Sequence, residues 1–332
     1  MESLLEVNNL QIYFETPRGT VKAVDNVSFA INAGERFGLI GESGSGKSTI
    51  ALGILRLIKL PGRIASGAIR LEGADLAELS PEAMRQRRLA DIALVTQGAM
   101  NSLNPVIRIR DQFADGLRSH DVNLSQAEQR EHLADLLARV GLPAAVADMY
   151  PHQLSGGMKQ RACIALAISL RPKLIIADEP TSALDVVVQR QVMQTLRQVQ
   201  EDLAAAVILI GHDMGLMAQF ATRVGVMYAG KLVEEGPVRD IFHQPQHPYT
   251  QVLMSSLPSL EAKEELHLVG GAQPSAMERP TGCVFHPRCP YVMPRCIDEP
   301  PGYYWPNPKQ RAACFLLDTA AVDQLSPAQV QP

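Results

Sequence analysis

The sequence of 332 residues lacks the long apolar run that a membrane-spanning helix requires. No stretch approaches the ~20 consecutive apolar residues that cross a bilayer as a helix. The start, MESLLEVNNLQIYF, carries Glu2 and Glu6 instead of the basic residues and continuous apolar run of a secretory signal. We therefore expect a protein of the cytosol, where thiols stay reduced and structural disulfides are rare.

A surplus of positive charge is also missing. Lysine and arginine total 31 residues against 35 aspartates and glutamates, so the formal net charge is −4. Such a chain has no general electrostatic attraction for phosphate backbones, and we expect no nucleic-acid partner. Apolar residues make up 46% of the chain, which is enough for the sizeable core of an ordinary globular protein.

Apolar patterning predicts an α/β fold. Short strands are expected between residues 4 and 40, and a helical periodicity follows over about 105–170. Two short runs, LIIAD (174–178), apolar up to its final aspartate, and AVILIG (206–211), flank a stretch of helix length. Strand, helix and strand at this spacing are typical of a βαβ unit in a parallel sheet whose strands are buried on both faces.

A change in amino-acid composition and periodicity indicates a domain boundary. The segment 224–236 predicts a hairpin that turns at Gly230, and beyond about residue 240 proline and histidine become frequent while periodic segments fade. We therefore predict a first domain over residues 1–240, with a helical subdomain over about 105–170, and a C-terminal extension over residues 241–332.

The octapeptide GESGSGKS, residues 41–48, fits the pattern G-x-x-x-x-G-K-[ST] in full. It follows a predicted strand and precedes a helical stretch, which is the context of a phosphate-binding loop. Backbone N–H groups of such a loop point at phosphate oxygens, a lysine reaches the β- and γ-phosphates, and a serine hydroxyl holds Mg²⁺. The residues expected to bind ATP and Mg²⁺ here are Gly41, Glu42, Ser43, Gly44, Ser45, Gly46, Lys47, Ser48 and Thr49.

A pair of carboxylates ends the first apolar run. Asp178 and Glu179 stand at the carboxyl end of a predicted buried strand, where ligands bind in open α/β sheets. Asp178 is expected to hold the Mg²⁺ hydration shell, and Glu179 to polarise the attacking water. In isolation such a pair could equally cap a helix, but downstream of a phosphate loop it indicates a nucleoside triphosphatase.

A second anion-binding device lies in LSGGMKQR, residues 154–161, where Ser155, Gly156 and Gly157 open a helix. One nucleotide does not need two such loops, whereas two subunits arranged head to tail would use both. With the two preceding motifs, LSGGM makes residues 4 to 236 resemble the ATP-binding-cassette (ABC) ATPases. The resemblance implies a cassette with a mixed-sheet core, an N-terminal antiparallel β subdomain and a helical subdomain.

Single residues extend the resemblance. Gln97 resembles the Q-loop glutamine that senses Mg²⁺, Asp185 resembles the D-loop aspartate at the dimer seam, and His212 resembles the switch histidine that contacts the γ-phosphate. Phe14 matches the aromatic residue that stacks on adenine, with Tyr13 as the alternative. The family's pattern thus implies catalytic roles for Lys47, Gln97, Glu179 and His212, and Mg²⁺ contacts for Ser48, Gln97 and Asp178.

The segments MNSLNPV (100–106) and HPYTQVLMSSLP (247–258) are similar to those of dipeptide and oligopeptide importer ATPases. That similarity implies two membrane permease subunits, a second ABC ATPase subunit, identical or related, and an extracytoplasmic solute-binding protein. The chain would then be peripheral, on the cytoplasmic face of the inner membrane. Gln97-Gly98-Ala99 departs from the Gln-Asp-Pro of many peptide importers and also resembles oligosaccharide importers, so the solute stays open. A soluble ABC ATPase acting on ribosomes or DNA is the alternative of another class.

Cysteine is scarce, with five in the whole chain, yet four of them stand in the tail with the spacing C-x₅-C-x₆-C-x₁₇-C. Zinc sites usually use tight C-x₂-C pairs, which are missing here, whereas four cysteines also suit a [4Fe–4S] cluster. Some importer ATPases that this tail resembles carry such a cluster, so it is the first interpretation, zinc the second and free thiols the third. The four residues are Cys283, Cys289, Cys296 and Cys314; Cys163 is expected to serve packing.

Proline is frequent between these cysteines. Together with Pro280, just before the first of these cysteines, Pro287, Pro290 and Pro294 predict a stiff segment that cannot form a helix and has little core of its own. A metal group could organise such a segment. Because the tail lies outside the ATP motifs along the sequence, its role is expected to be structural or regulatory.

Overall fold

The structure, a computed structural model, describes residues 3–96, 98, 102–256, 273–277 and 279–318. Its strands are β1 (Leu5–Thr16), β2 (Gly19–Ile31), β3 (Arg36–Ile40), β4 (Gly62–Leu71), β5 (Ala74–Asp75), β6 (Ile92–Val95), β7 (Leu174–Asp178), β8 (Ala206–Ile210), β9 (Arg223–Tyr228), β10 (Lys231–Pro237), β11 (Tyr304–Asn307) and β12 (Gln310–Ala312). Its helices are α1 (Lys47–Ile54), α2 (Pro81–Arg87), α3 (Ile109–Arg118), α4 (Gln126–Arg139), α5 (Gly156–Ala167), α6 (Val186–Leu203), α7 (Met214–Phe220), α8 (Val238–His243), α9 (Pro248–Ser255) and α10 (Pro294–Asp298).

The strands form two sheets. One has four strands in the order β2-β1-β4-β5, and the other has eight in the order β11-β12-β10-β9-β3-β8-β7-β6. The larger sheet combines parallel pairs, such as β6 with β7, and antiparallel pairs, such as β9 with β10. The predicted mixed sheet is therefore confirmed. Among the described residues, no helix is long and apolar enough to span a membrane.

By its contacts the chain divides into two compact units. The first comprises Met1–Glu6, Ala30–Phe37 and Arg70–Gly211. The second comprises Val7–Phe29, Gly38–Ile69 and His212–Pro332.

The first unit is built on the parallel strands β6, β7 and β8. Leu174 lies opposite Ile92 on one side and Ala206 on the other. The four apolar residues of β7 are fully buried, as are those of β8, because a parallel strand covered on both faces meets no water. The helix α6 connects β7 to β8, so the predicted βαβ unit is confirmed.

The predicted helical stretch of the first unit contains α3, α4 and α5. The helix α4 begins with a capping box, in which Ser125 Oγ accepts from the Glu128 N–H and the Glu128 carboxylate accepts from the Ser125 N–H. Its buried residues include Leu133 and Leu136, which stand on one face. Amphipathic spacing and a capping signal together explain why this segment is helical.

The second unit contains the hairpin of β9 and β10, with Lys231 opposite Tyr228 and the predicted turn at Gly230. The strand β12 continues the sheet beyond β10, with Ala312 opposite Glu234, and β11 pairs with β12. Residues of the tail therefore contribute two strands to the same sheet as the hairpin.

The tail also contains the short helix α10, so the prediction that its prolines exclude a helix is wrong. Pro294 is the first helical residue, where a missing N–H loses no hydrogen bond and the fixed φ suits the helix. A small core forms where Met293, Cys296 and Phe315 pack together. Pro294 therefore begins this helix rather than preventing it.

Candidate functional site

The predicted phosphate loop, residues 41–48, runs from the end of β3 into α1, which is the context that the sequence predicts. Gly41 and Gly46 have φ values of 145° and 102°, which residues other than glycine rarely adopt. A Cβ on Gly41 would overlap the Met227 carbonyl, and a Cβ on Gly46 would overlap the Ala23 carbonyl. The two glycines are therefore required both for the backbone conformation and for the close approach of neighbouring strands.

Lys47 is the first residue of α1 and is 6% exposed. Its ammonium donates to the carbonyl oxygens of Gly41 and Glu42, at 2.7 and 2.8 Å, and to Ser45 Oγ at 3.3 Å. The charge is thus held against the loop itself, at a helix N-terminus that favours anions. Ser48, the proposed Mg²⁺ ligand, is exposed beside it.

The acidic pair lies at the carboxyl end of β7. Asp178 is its last residue and stands opposite Ile210 of β8. Glu179 follows with a φ of 44°, and its N–H donates to the Ile210 carbonyl at 2.9 Å. A left-handed conformation is uncommon for glutamate and often marks functional positions. His212 follows two residues after β8 and is exposed.

The LSGGM loop begins α5. Ser155 is its N-cap and accepts from the Met158 N–H at 3.3 Å. Gly157 is buried against α6, where a Cβ would overlap Cγ1 of Val188. Asp185 caps α6 and accepts from the N–H groups of Val187 and Val188, both at 3.0 Å. The structure therefore brings the LSGGM and D-loop segments together at two adjoining helix starts.

The adenine-stacking assignment stays a prediction. Phe14 and Tyr13 are both partly exposed, and the Phe14 ring lies against Gly62. The Tyr13 hydroxyl donates to Asp25 at 3.0 Å, and burial together with that bond raises the pKa of Tyr13 to about 12. Gln97 lies outside the described residues, so its role also stays a prediction.

The four tail cysteines line one cavity, together with residues such as Phe285 and His286. The volume of this cavity is about 10 Å³, which is room for a single water molecule. Burial raises the pKa of Cys289 and Cys314 to about 12, so both thiols are neutral at pH 7. Within the described ranges, no group of three or more histidine, cysteine, aspartate or glutamate side chains is arranged to hold a metal ion.

The structure adds two contacts to the phosphate loop that the sequence did not predict. The Tyr249 hydroxyl accepts from the Glu42 N–H at 3.0 Å. The Arg288 guanidinium donates to both carboxylate oxygens of Glu42, at 3.1 and 3.2 Å. These partners are 207 and 246 positions away along the chain, so no local motif signals them.

Known families match both parts of the chain. Residues 24–182 match the ABC transporter family, and residues 233–296 match the oligopeptide/dipeptide transporter C-terminal region.

Curated relatives are similar over nearly the whole length. The dipeptide transport ATP-binding protein of Haemophilus influenzae is 45% identical over 302 residues, which are 90% of this chain and 91% of that protein. The dipeptide transport ATP-binding protein of Escherichia coli K12 is 43% identical over 322 residues, 96% and 98% of the two chains. The oligopeptide transport ATP-binding protein of Bacillus subtilis is 40% identical over 328 residues, 98% and 100%.

Solved structures share the fold. A dimeric post-hydrolysis state of an ATP-binding cassette bound to ADP and Pi has a TM-score of 0.63 and 27% identity, over 71% of this chain and 99% of that one. A part of the ABC transporter complex cbiONQ from Clostridium perfringens has a TM-score of 0.63 and 25% identity, over 74% and 92%. The chain therefore belongs to the ATP-binding proteins of the dipeptide and oligopeptide transport family, and it is an ABC-type ATPase that drives transport.

Proposed function

We propose that this ATPase powers the import of dipeptides or oligopeptides. The match of residues 233–296 to the oligopeptide/dipeptide transporter C-terminal region carries the proposal, because that description names the class of solute. The names of the relatives above support it. Oligosaccharides are the second candidate solute, on the strength of the departure at Gln97-Gly98-Ala99.

In the proposed reaction, N–H groups of the phosphate loop and the Lys47 ammonium bind the ATP phosphates. Ser48, Gln97 and Asp178 would hold Mg²⁺, which would supply positive charge to offset the charge of the phosphates. Glu179 accepts a hydrogen bond from the attacking water and orients it in line with the γ-phosphate. His212 contacts the γ-phosphate. The strained backbone at Glu179 supports a catalytic position.

The complete site is proposed to need a second cassette, arranged head to tail. Ser155, Gly156 and Gly157 of one subunit would close on the nucleotide bound by the partner, with Asp185 at the seam. The dimeric state of the cassette structure described above supports this arrangement. Exposed apolar surface at the start of α6 also supports it, because Val186 and Val187 are each about two-thirds exposed.

The chain is proposed to dock on two permease subunits at the cytoplasmic face of the inner membrane, as a peripheral protein. An extracytoplasmic solute-binding protein would deliver the solute to those permeases. The cassette would then contribute ATP hydrolysis and never contact the solute.

The test is ATPase activity of the chain co-assembled with its permeases in vesicles that enclose the solute-binding protein. We expect a dipeptide mixture to stimulate hydrolysis and an oligosaccharide mixture to leave it at its basal rate. Glu179→Gln is expected to lower turnover by ~10²-fold or more, because the amide cannot orient water as a carboxylate does. Stimulation by oligosaccharide alone would replace peptides with the second candidate. Normal turnover of Glu179→Gln would remove the role of that residue.

We further propose that the tail cysteines hold a [4Fe–4S] cluster. The four thiols around one cavity support this, although the described side chains form no ready-made metal site. A zinc ion requires all four sulfurs within about 2.3 Å of one centre, whereas a cluster offers a separate iron to each thiolate. Binding would require the buried thiols to ionise and the cavity to widen, both at the expense of the binding free energy.

Anaerobic purification tests the cluster. We expect brown protein with about four irons per chain, as Cys₄ ligation implies. Cys289→Ser is expected to lose the colour, while Cys163→Ser, the matched control in α5, keeps it. Colourless protein with one equivalent of zinc would decide for zinc, and metal-free protein would decide for free thiols.

A further inference from the structure

Glu42 places a carboxylate inside a loop that binds phosphate. An uncompensated negative charge there would repel ATP. Arg288 lies against this carboxylate with both oxygens in hydrogen-bond reach, and the same guanidinium nitrogen donates to the Tyr228 hydroxyl at 3.2 Å. The Arg288 side chain is 11% exposed and that of Glu42 is 34% exposed. The pair is therefore only partly screened by water.

An aromatic cluster holds Arg288 in place. The rings of Tyr228 and Tyr249 have centroids 4.5 Å apart, and Phe285 contacts both, at 5.2 and 5.5 Å. The guanidinium lies 5.7 Å from the Tyr228 centroid and 5.9 Å from the Phe285 centroid. All three aromatic residues are fully or almost fully buried. Side chains packed this way keep a fixed rotamer, so Arg288 cannot easily swing away from Glu42.

Arg288 also ends a tight turn in the wall of the cysteine cavity. The Arg288 N–H donates to the Phe285 carbonyl at 3.0 Å, and the Cys289 N–H donates to the His286 carbonyl at 3.2 Å. Cys283 precedes this turn and Cys289 follows it directly. The backbone that presents Arg288 to the phosphate loop is thus the backbone that presents two of the cavity thiols.

We propose that Arg288 is a positioning residue for nucleotide binding: it neutralises Glu42 and fixes the phosphate loop, and so makes the affinity for ATP depend on the cysteine-lined tail. It acts through Glu42, whose carboxylate its guanidinium contacts. This rests on the proposed role of the phosphate loop. The Glu42 carbonyl also holds the Lys47 ammonium, so a shift of Glu42 displaces the charge that binds phosphate.

The experiment is calorimetric titration of the purified full-length chain with ATP and Mg²⁺. Arg288→Met is expected to weaken ATP binding about 10-fold, the effect of one uncompensated charge near the phosphates. In the Glu42→Gln background the same substitution is expected to change affinity less than 2-fold, roughly, because no charge is left to neutralise. Arg295→Met is the matched control, since Arg295 pairs with Glu299 and Asp318 in the exposed tail.

A second variant separates positioning from folding. Arg288→Lys keeps the positive charge, and we expect its ATP affinity to stay within roughly 3-fold of the wild type. In the assembled transporter, Arg288→Met should raise KM for ATP about 10-fold with kcat changed less than 2-fold, roughly, because ground-state binding alone is altered. Equal ATP affinity of Arg288→Met and wild type, or an unchanged loss in the Glu42→Gln background, would overturn the proposal. A wild-type chain that binds no ATP would overturn the proposed role of the loop as well.

Discussion

At the scale of single residues, His247 combines three constraints. It is 1% exposed, and burial lowers its pKa to about 3. Its ring Nδ1 accepts from the Tyr249 backbone N–H at 3.1 Å, which caps α9, and the backbone N–H of His247 donates to the Glu234 carboxylate at 2.9 Å. A neutral ring is therefore part of the native structure, since a protonated Nδ1 could not accept that hydrogen bond.

We expect this histidine to make the protein sensitive to acid. Its folded pKa lies below the unfolded value of about 6.5, so the unfolded chain binds more protons, and stability is lost as pH falls from about 6.5 toward 3. At pH 5 the loss from this residue is about 2 kcal/mol. Denaturant unfolding at pH 7.5 and pH 5 measures this loss of stability. The His247→Asn variant, whose asparagine can still cap a helix, lacks the titrating group.

Glu234 contributes a slope of opposite sign, because burial raises its pKa despite the hydrogen bonds that it accepts. Comparison of wild type with His247→Asn cancels that contribution, since the carboxylate is present in both. His243→Asn, at an exposed position near the end of α8, is the matched control. Equal losses in wild type and His247→Asn would refute the assignment.

At the scale of elements, the packing of α5 on α6 sets the position of the LSGGM loop. Gly157 leaves room for Cγ1 of Val188, and a β-branched side chain in a helix has one favoured rotamer, so the contact cannot relax by rotation. Asp185 caps the start of α6, where its carboxylate accepts hydrogen bonds from the N–H groups of Val187 and Val188. The two helix starts therefore move together.

Gly157→Ala is expected to force these helices apart and to destabilise the chain by about 1–3 kcal/mol, as overpacking does. Denaturant unfolding checks this, and Val188→Ala in the same chain should restore most of the loss. Gly116→Ala in α3 is the control, because its nearest neighbour would be 3.5 Å from the new Cβ and alanine favours a helix by about 1 kcal/mol. A Gly157→Ala variant as stable as wild type would contradict this account of the α5–α6 contact.

At the scale of the whole molecule, the tail belongs with the phosphate loop. Both lie in the second compact unit, which contains Gly38–Ile69 and His212–Pro332. The strand β12 extends the sheet from β10, and Arg288 reaches Glu42. The predicted boundary near residue 240 stays a prediction, but in its contacts the tail is joined to the loop that the sequence assigns to ATP. This is why the ATP titrations above are expected to report on the tail.

The sequence alone determined the parts of the protein whose causes are local. A phosphate loop needs glycines and a lysine within eight residues, and GESGSGKS supplies them at residues 41–48. A strand buried on both faces needs a short apolar run, so LIIAD predicted β7 to the residue. The order of these motifs with LSGGM sufficed for the family, which the comparisons confirm.

The tertiary structure alone decided which distant groups meet. Arg288 and Tyr249 reach Glu42 across more than two hundred residues, and Gly157 meets Val188 through the packing of two helices. The sequence predicts that the prolines exclude a helix, yet Pro294 begins one. A proline in the first turn of a helix removes no hydrogen bond that the helix needs. Such contacts depend on how whole elements pack and bury their side chains, and no residue-by-residue preference specifies that packing.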